Sequence, residues 1–143
     1  MYPKNALSDG TIVQVANRRS GAIVGERVEI ANALASRLRG LLGRAGLVPG
    51  AGLWLERCSS IHMFFMRFPI DALFVDENRM VVRCVPSLRP WRIATGGRRA
   101  RAVLELAVGS ISRSKTQVGD PLDLELYETA ITAARKEPTP HPH

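Results

Sequence analysis

The sequence is poor in the residues that announce chemistry. It has two cysteines, Cys58 and Cys84, and no CxxC pair. Neither a structural zinc site nor a disulfide framework is therefore expected, and two small buried thiols are the plain reading. A single histidine, His62, precedes the C-terminal tail, which carries His141 and His143. No run of about 18 apolar residues exists, so no membrane span is expected. The opening MYPKNALSDG lacks the apolar stretch of a secretory signal. A cytoplasmic, bacterial-type protein is the expectation, with an envelope protein trimmed of its leader as the alternative. One further absence is local: no acid lies between Glu77 and Glu105, whereas Arg79, Arg83, Arg89, Arg92, Arg98, Arg99 and Arg101 all do.

What is present describes one globular unit. The chain has 143 residues, 45% of them hydrophobic, with a net charge of +7. That is enough for a single core. The charge suits an anionic ligand, a nucleic acid or a lipid surface. A basic run is equally an ordinary solvated surface, and nucleic acid draws weak support because Trp91 is the only aromatic in the basic window.

Residues 10–15 alternate as a strand, 17–21 form a turn cluster, and 22–30 pair back as a hairpin, with Gly25 marking a bulge. Leu34, Leu38, Leu41 and Leu42 recur at helical spacing after Asn32, predicting one main helix over about 32–43. Residues 52–56 read as a short strand. Ile61 to Arg67 reads as extended, which puts His62, Phe64 and Met66 on one face and Met63 and Phe65 on the other. Asp71–Val75 and Met80–Val85 form a hairpin around residues 76–79, and 86–97 reads as a long loop. Arg101–Val108 is a strand, 109–115 a turn or short helix, and 121–126 a last strand. A short polar helix from Tyr127 and a disordered tail complete the chain. Six to eight strands and one helix make an α+β fold, a mostly antiparallel curled sheet or partly open barrel. The expected organisation is an extension over 1–10, a single domain over 11–126, and a helix and tail over 127–143.

Arg37-x-Arg39-Gly40-Leu41-Leu42-x-Arg44, Gly50-x-Gly52-Leu53-Trp54, Ile61-His62-Met63-Phe64-Phe65-Met66, Pro69-Ile70-Asp71-x-x-Phe74-x-Asp76, Leu104-Glu105-Leu106-x-x-Gly109 and Gly119-Asp120 occur in this order. The series resembles domain-of-unknown-function family 192 of bacteria and archaea, over about residues 11 to 126. The resemblance implies a small β-rich α+β domain and no particular activity. It also implies that many members carry an envelope signal or anchor, which this sequence does not show.

Asp71 opens an otherwise apolar run, and burying it without donors would cost several kcal/mol. It is either a structural carboxylate, paired with an arginine such as Arg37, Arg39, Arg44 or Arg67 or capping backbone amides, or a pocket acid. His62, Met63 and Met66 have the donor chemistry of a copper(I) site. On an extended strand His62 and Met66 stand about 13 Å apart, so no metal and no cofactor is expected and core packing is the plainer role. Cys58 with His62 would make a nucleophile–base pair only through contact across a loop. Glu105 is either beside Asp71 as a paired carboxylate or on the solvent face. The leading expectation is a module that binds a small anionic ligand or a protein partner in a cleft walled by His62, Phe64, Met66, Asp71 and Trp91, with Arg39 and Glu105 at the rim. The alternatives are an enzyme using Asp71, Glu105 or Cys58, and an anion or nucleic-acid binder using Arg79–Arg101.

Overall fold

The computed structural model describes residues 8–32 and 46–137. The helix expected over 32–43 and the tail beyond 137 lie outside these residues, and with them Arg37, Arg39, Arg44, His141 and His143. Among the described residues the fold is mostly β: β1 (Ile12–Asn17), β2 (Ile23–Ala31), β3 (Ala51–Glu56), β4 (Ser60–His62), β5 (Ile70–Val75), β6 (Val81–Leu88), β7 (Ile93–Thr95), β8 (Ala102–Leu106) and β9 (Leu122–Leu126), with helices α1 (Ser110–Ser114) and α2 (Tyr127–Lys136). Seven strands form one sheet in the order β6-β5-β8-β3-β2-β1-β9, and β4 and β7 pair as a separate ribbon.

The sheet curls until its edges meet. Met80, just before β6, bridges Pro121, just before β9. The Val81 amide donates to the Asp120 carbonyl at 2.9 Å, and the Leu122 amide to the Arg79 carbonyl at 3.0 Å. The result is a partly open α+β barrel. Its strands are antiparallel except for β2 and β3, which run parallel. A parallel pair needs a crossover connection of a dozen or more residues, and the interval between Ala31 and Ala51 has that length. Where β1 pairs with β2, Val13 opposes Val28 but Val15 opposes Gly25. This is the bulge that Gly25 announces. A Cβ on Gly25 would come within 2.5 Å of Val28 Cγ2.

The curl creates two apolar cores. Inside the barrel lie Val13, Val15, Val28, Ile30, Trp54, Leu73, Val75, Leu104, Leu106 and Leu124. On the outer face of β3, β5 and β8 lie Leu53, Leu55, Ala72, Phe74 and Val103, covered by Ile61, Met63, Met66, Phe68 and Ala94. Strand β5 feeds both cores, so all six of its residues are buried. That is why the sequence there shows a continuous apolar run rather than alternation.

Two expectations change here. The Ile61–Arg67 stretch is not extended throughout. Strand β4 stops at His62, and the chain turns through Met63–Met66, with Phe65 at φ 67°. The interval 86–97 is not a free loop: it completes β6, turns at Arg89–Trp91 and forms β7 against β4. Strands of three residues carry too little pattern to be read from sequence. Only the pairing of Ser60, Ile61 and His62 with Thr95, Ala94 and Ile93 makes them strands.

Candidate functional site

Asp71 is 1% exposed, and both oxygens of its carboxylate are held by backbone amides. Oδ1 accepts the Ser87 amide at 2.9 Å; Oδ2 accepts the amides of Gly109 at 3.1 Å and Ile111 at 3.0 Å. The Ser87 amide belongs to a bulge. Between the pairs Ile70–Leu88 and Ala72–Val85, β5 has one residue and β6 has two. The other two amides lie at the start of α1. One carboxylate thus pins a β-bulge and the turn after β8 to the middle strand. Three donors from the main chain offset its desolvation, and no arginine is needed.

Glu105 is also buried, but on the other side of the sheet. It stands opposite Ala72 on β5 and Leu53 on β3, both in the outer core. Asp71 stands opposite Leu106 and alternates with Leu73 and Val75, which face the barrel interior. Neighbouring residues on a strand point to opposite faces, so Asp71 and Glu105 are separated by the sheet and do not form a paired carboxylate. Met66 is packed in the outer core at 7% exposure. Both cysteines are half-buried rather than buried, and neither forms a disulfide. The Cys58 thiol donates to the Ser60 carbonyl at 3.0 Å. Burial, and then the charge of Asp120, push the Cys84 thiol upward, the wrong direction for a nucleophile.

His62, Phe64 and Trp91 do come together, at the tip of the β4–β7 ribbon and on the surface. The His62 and Phe64 rings stack with centroids 4.8 Å apart. Phe64 lies 5.9 Å from Trp91, and Phe65 meets Trp91 edge-on at 5.0 Å. Phe65 is 71% exposed, Trp91 59% and Ile93, which pairs with His62, 66%. The two turns that carry these rings are bonded to each other: Trp91 N to Met63 O, and Met63 N to Arg92 O, each 2.8 Å. Both Phe65 and Trp91 hold positive φ, 67° and 68°. Bulky side chains rarely adopt that region, and it costs about 1–3 kcal/mol per residue. The buried Met63 and Met66 anchor the turn from below, so the rings above it are held out in water.

An extended 61–67 would put Phe65 on the face opposite Phe64, but the turn at φ 67° brings it to Trp91. The dipeptide Phe64-Phe65 follows β4 in the turn, and both of its rings are exposed, at 36% and 71%. The basic segment is likewise divided. Arg79 is buried at 6% exposure, and desolvation pulls its pKa down against the charges of Glu56 and Asp123. Arg101 donates to the carbonyls of Arg98 and Ala100. Arg83, Arg89, Arg92, Arg98, Arg99 and Arg101 itself are exposed. Arg98 and Arg99 line a surface groove of about 410 Å³ with Asp76, Met80, Val82 and Gly96.

A second polar centre closes the barrel. Asp120 is 2% exposed and accepts from Arg19 (Nη2 to Oδ2, 3.0 Å), Asn17 and the Gln117 amide. The Arg19 bond, foremost, holds its carboxyl down at about 2. Among the described residues no helix is long and apolar enough to cross a membrane.

Comparison with known proteins agrees with the fold. The family model DUF192, described as "Uncharacterized ACR", matches residues 10–124. A UPF0127 protein of Thermococcus sibiricus is 34% identical over 120 residues, 78% of this chain and 75% of that protein. Another, from Thermococcus gammatolerans, is 32% identical over 118 residues, 80% and 76% of the two chains. Among solved structures, a protein of unknown function from Novosphingobium aromaticivorans superposes with a TM-score of 0.67 at 25% identity, covering 86% of this chain and 90% of that one. A Sinorhizobium meliloti protein described as a candidate transcription regulator does so at 0.69 and 24% identity, covering 80% and 92%. The sequence relatives are archaeal and the structural neighbours bacterial, which widens the expectation of a bacterial-type protein.

Proposed function

The chain belongs to the DUF192 family, and from that premise we propose that it is a binding module whose recognition surface is the aromatic tip of the β4–β7 ribbon: His62, Phe64, Phe65, Trp91 and Ile93. The observation that carries this reading is the exposure of Phe65 and Trp91 on strained, cross-braced turns. Leaving large rings in water forgoes burial that a core would reward, at about 25 cal/mol per Å². Rigid exposed aromatics are the residues that anchor partners. The partner class follows from charge. Residues 57–70 and 78–104, which include the tip, contain arginines and no acid. The matching ligand offers a flat apolar face and negative charge.

The enzyme reading draws no comparable support, because its two carboxylates lie on opposite faces of the sheet. Amide NMR of the labelled protein, titrated with naphthalene-2-sulfonate, tests the proposal. Shifts confined to 62–66 and 89–93, and absent with inorganic sulfate, are the expected result. Shifts centred elsewhere, or none at millimolar probe, would overturn it.

A further inference from the structure

The structure carries more than an aromatic tip, and we propose that the ligand class is single-stranded nucleic acid, running from the tip along β7 into the arginine-lined groove. This rests on the tip being a recognition surface, and it names what that surface takes. Three observations extend the site. Strand β7 leaves the tip with Ile93 and Thr95 exposed and only Ala94 turned inward. After about 10 Å of extended chain it reaches Gly96, which lines the groove with Arg98 and Arg99. Beside the strand, Arg83 reaches across from β6 and donates to the Thr95 carbonyl, so positive charge borders the path at its middle as well as at both ends.

This order of groups fits a strand with unpaired bases. Stacking on an aromatic face accepts any base, and a basic track follows the phosphates. A duplex hides its base faces and offers the tip nothing to stack on. An isolated anionic ring would use the tip and leave the groove empty. A Cβ on Gly96 would collide with Phe74 at 2.5 Å and Ala100 at 2.6 Å, so the backbone at the groove lies directly against the core. Asp76 is the one acid on the groove wall. It accepts the amides of Asn78 and Met80 through Oδ1 and is occupied in its own turn.

The test is fluorescence anisotropy of a labelled ten-nucleotide oligothymidylate with the full chain, paired with tryptophan emission. Trp54 is 1% exposed and Trp91 59%, so quenching on binding reports Trp91. With four phosphates met by Arg89, Arg92, Arg98 and Arg99, raising salt from about 50 to 200 mM weakens binding about 50-fold. The double variant Arg98→Gln/Arg99→Gln halves the salt slope and keeps the quench. Trp91→Ala keeps the slope and lowers affinity by about 5- to 150-fold. Failure to bind at 50 mM salt overturns the inference, as does binding without quench or a slope indifferent to the groove variant. If naphthalene-2-sulfonate still shifts 62–66 and 89–93 while the oligonucleotide fails, the tip stands and only its assignment to nucleic acid falls. If both fail, the recognition surface itself is lost.

Discussion

The middle of β5 and the tip of the β4–β7 ribbon invert the usual placement of residues. On β5 a carboxylate is buried at 1% exposure; at the tip a phenylalanine and a tryptophan stand 71% and 59% exposed. Asp71 looks the more unusual by sequence, yet each of its oxygens has a main-chain donor. The rings at the tip touch one another and still leave Phe65 and Trp91 largely in water. Counting partners separates structure from function here. A buried charge with both oxygens held by main-chain amides is holding the fold, and an exposed ring on a braced, strained turn is available to something else.

Breaking the β5 side should have the largest effect. Asp71→Ala leaves three amides without an acceptor and is expected to cost about 3–5 kcal/mol, measured by urea unfolding at constant m-value. Asp71→Asn keeps the shape but turns a donor toward amide donors, and should recover less than half of that loss. Gly96→Ala follows. Its methyl would overlap Phe74, which cannot move within the outer core, so about 1–3 kcal/mol is expected.

Acid should sharpen the contrast next. The Asp120 carboxyl sits at about 2, below its ordinary 3.8, chiefly through Arg19. A depressed carboxylate contributes stability that is full above the unfolded value and is lost as pH falls through the folded one. Stability should therefore hold from neutral pH down to about 4 and then drop toward 2, and Arg19→Gln should flatten that drop in a pH series of denaturation curves. The tip should respond least in stability. Phe65→Ala and Trp91→Ala remove exposed rings and leave the left-handed backbone in place, so unfolding free energies should move by no more than about 0.5 kcal/mol while ligand affinity falls.

The fold was legible where pattern was dense. The β1–β2 and β5–β6 hairpins, β8, β9 and the bulge at Gly25 all follow from alternation and glycine. The ribbon was not, because three-residue strands have no period to read and a turn through Met63–Met66 keeps the same apolar letters as a strand. Asp71 was visible as a residue needing donors, but the donors are amides of Ser87, Gly109 and Ile111, which no side-chain pattern marks. The separation of Asp71 from Glu105 depends on the β5–β8 register, and register is set by the assembled sheet. His62, Phe64 and Trp91 are expected from sequence as walls of a cleft, whereas they meet at the surface.

The most direct test of the central claim uses the Trp54→Phe variant, in which Trp91 is the sole tryptophan. Its emission is followed during titration with the oligothymidylate at low salt. The account predicts a saturable quench that tracks the anisotropy and moves to higher oligonucleotide concentration when Phe65 is also replaced by Ala. Binding by anisotropy with Trp91 emission unchanged would place the recognition surface elsewhere and contradict it.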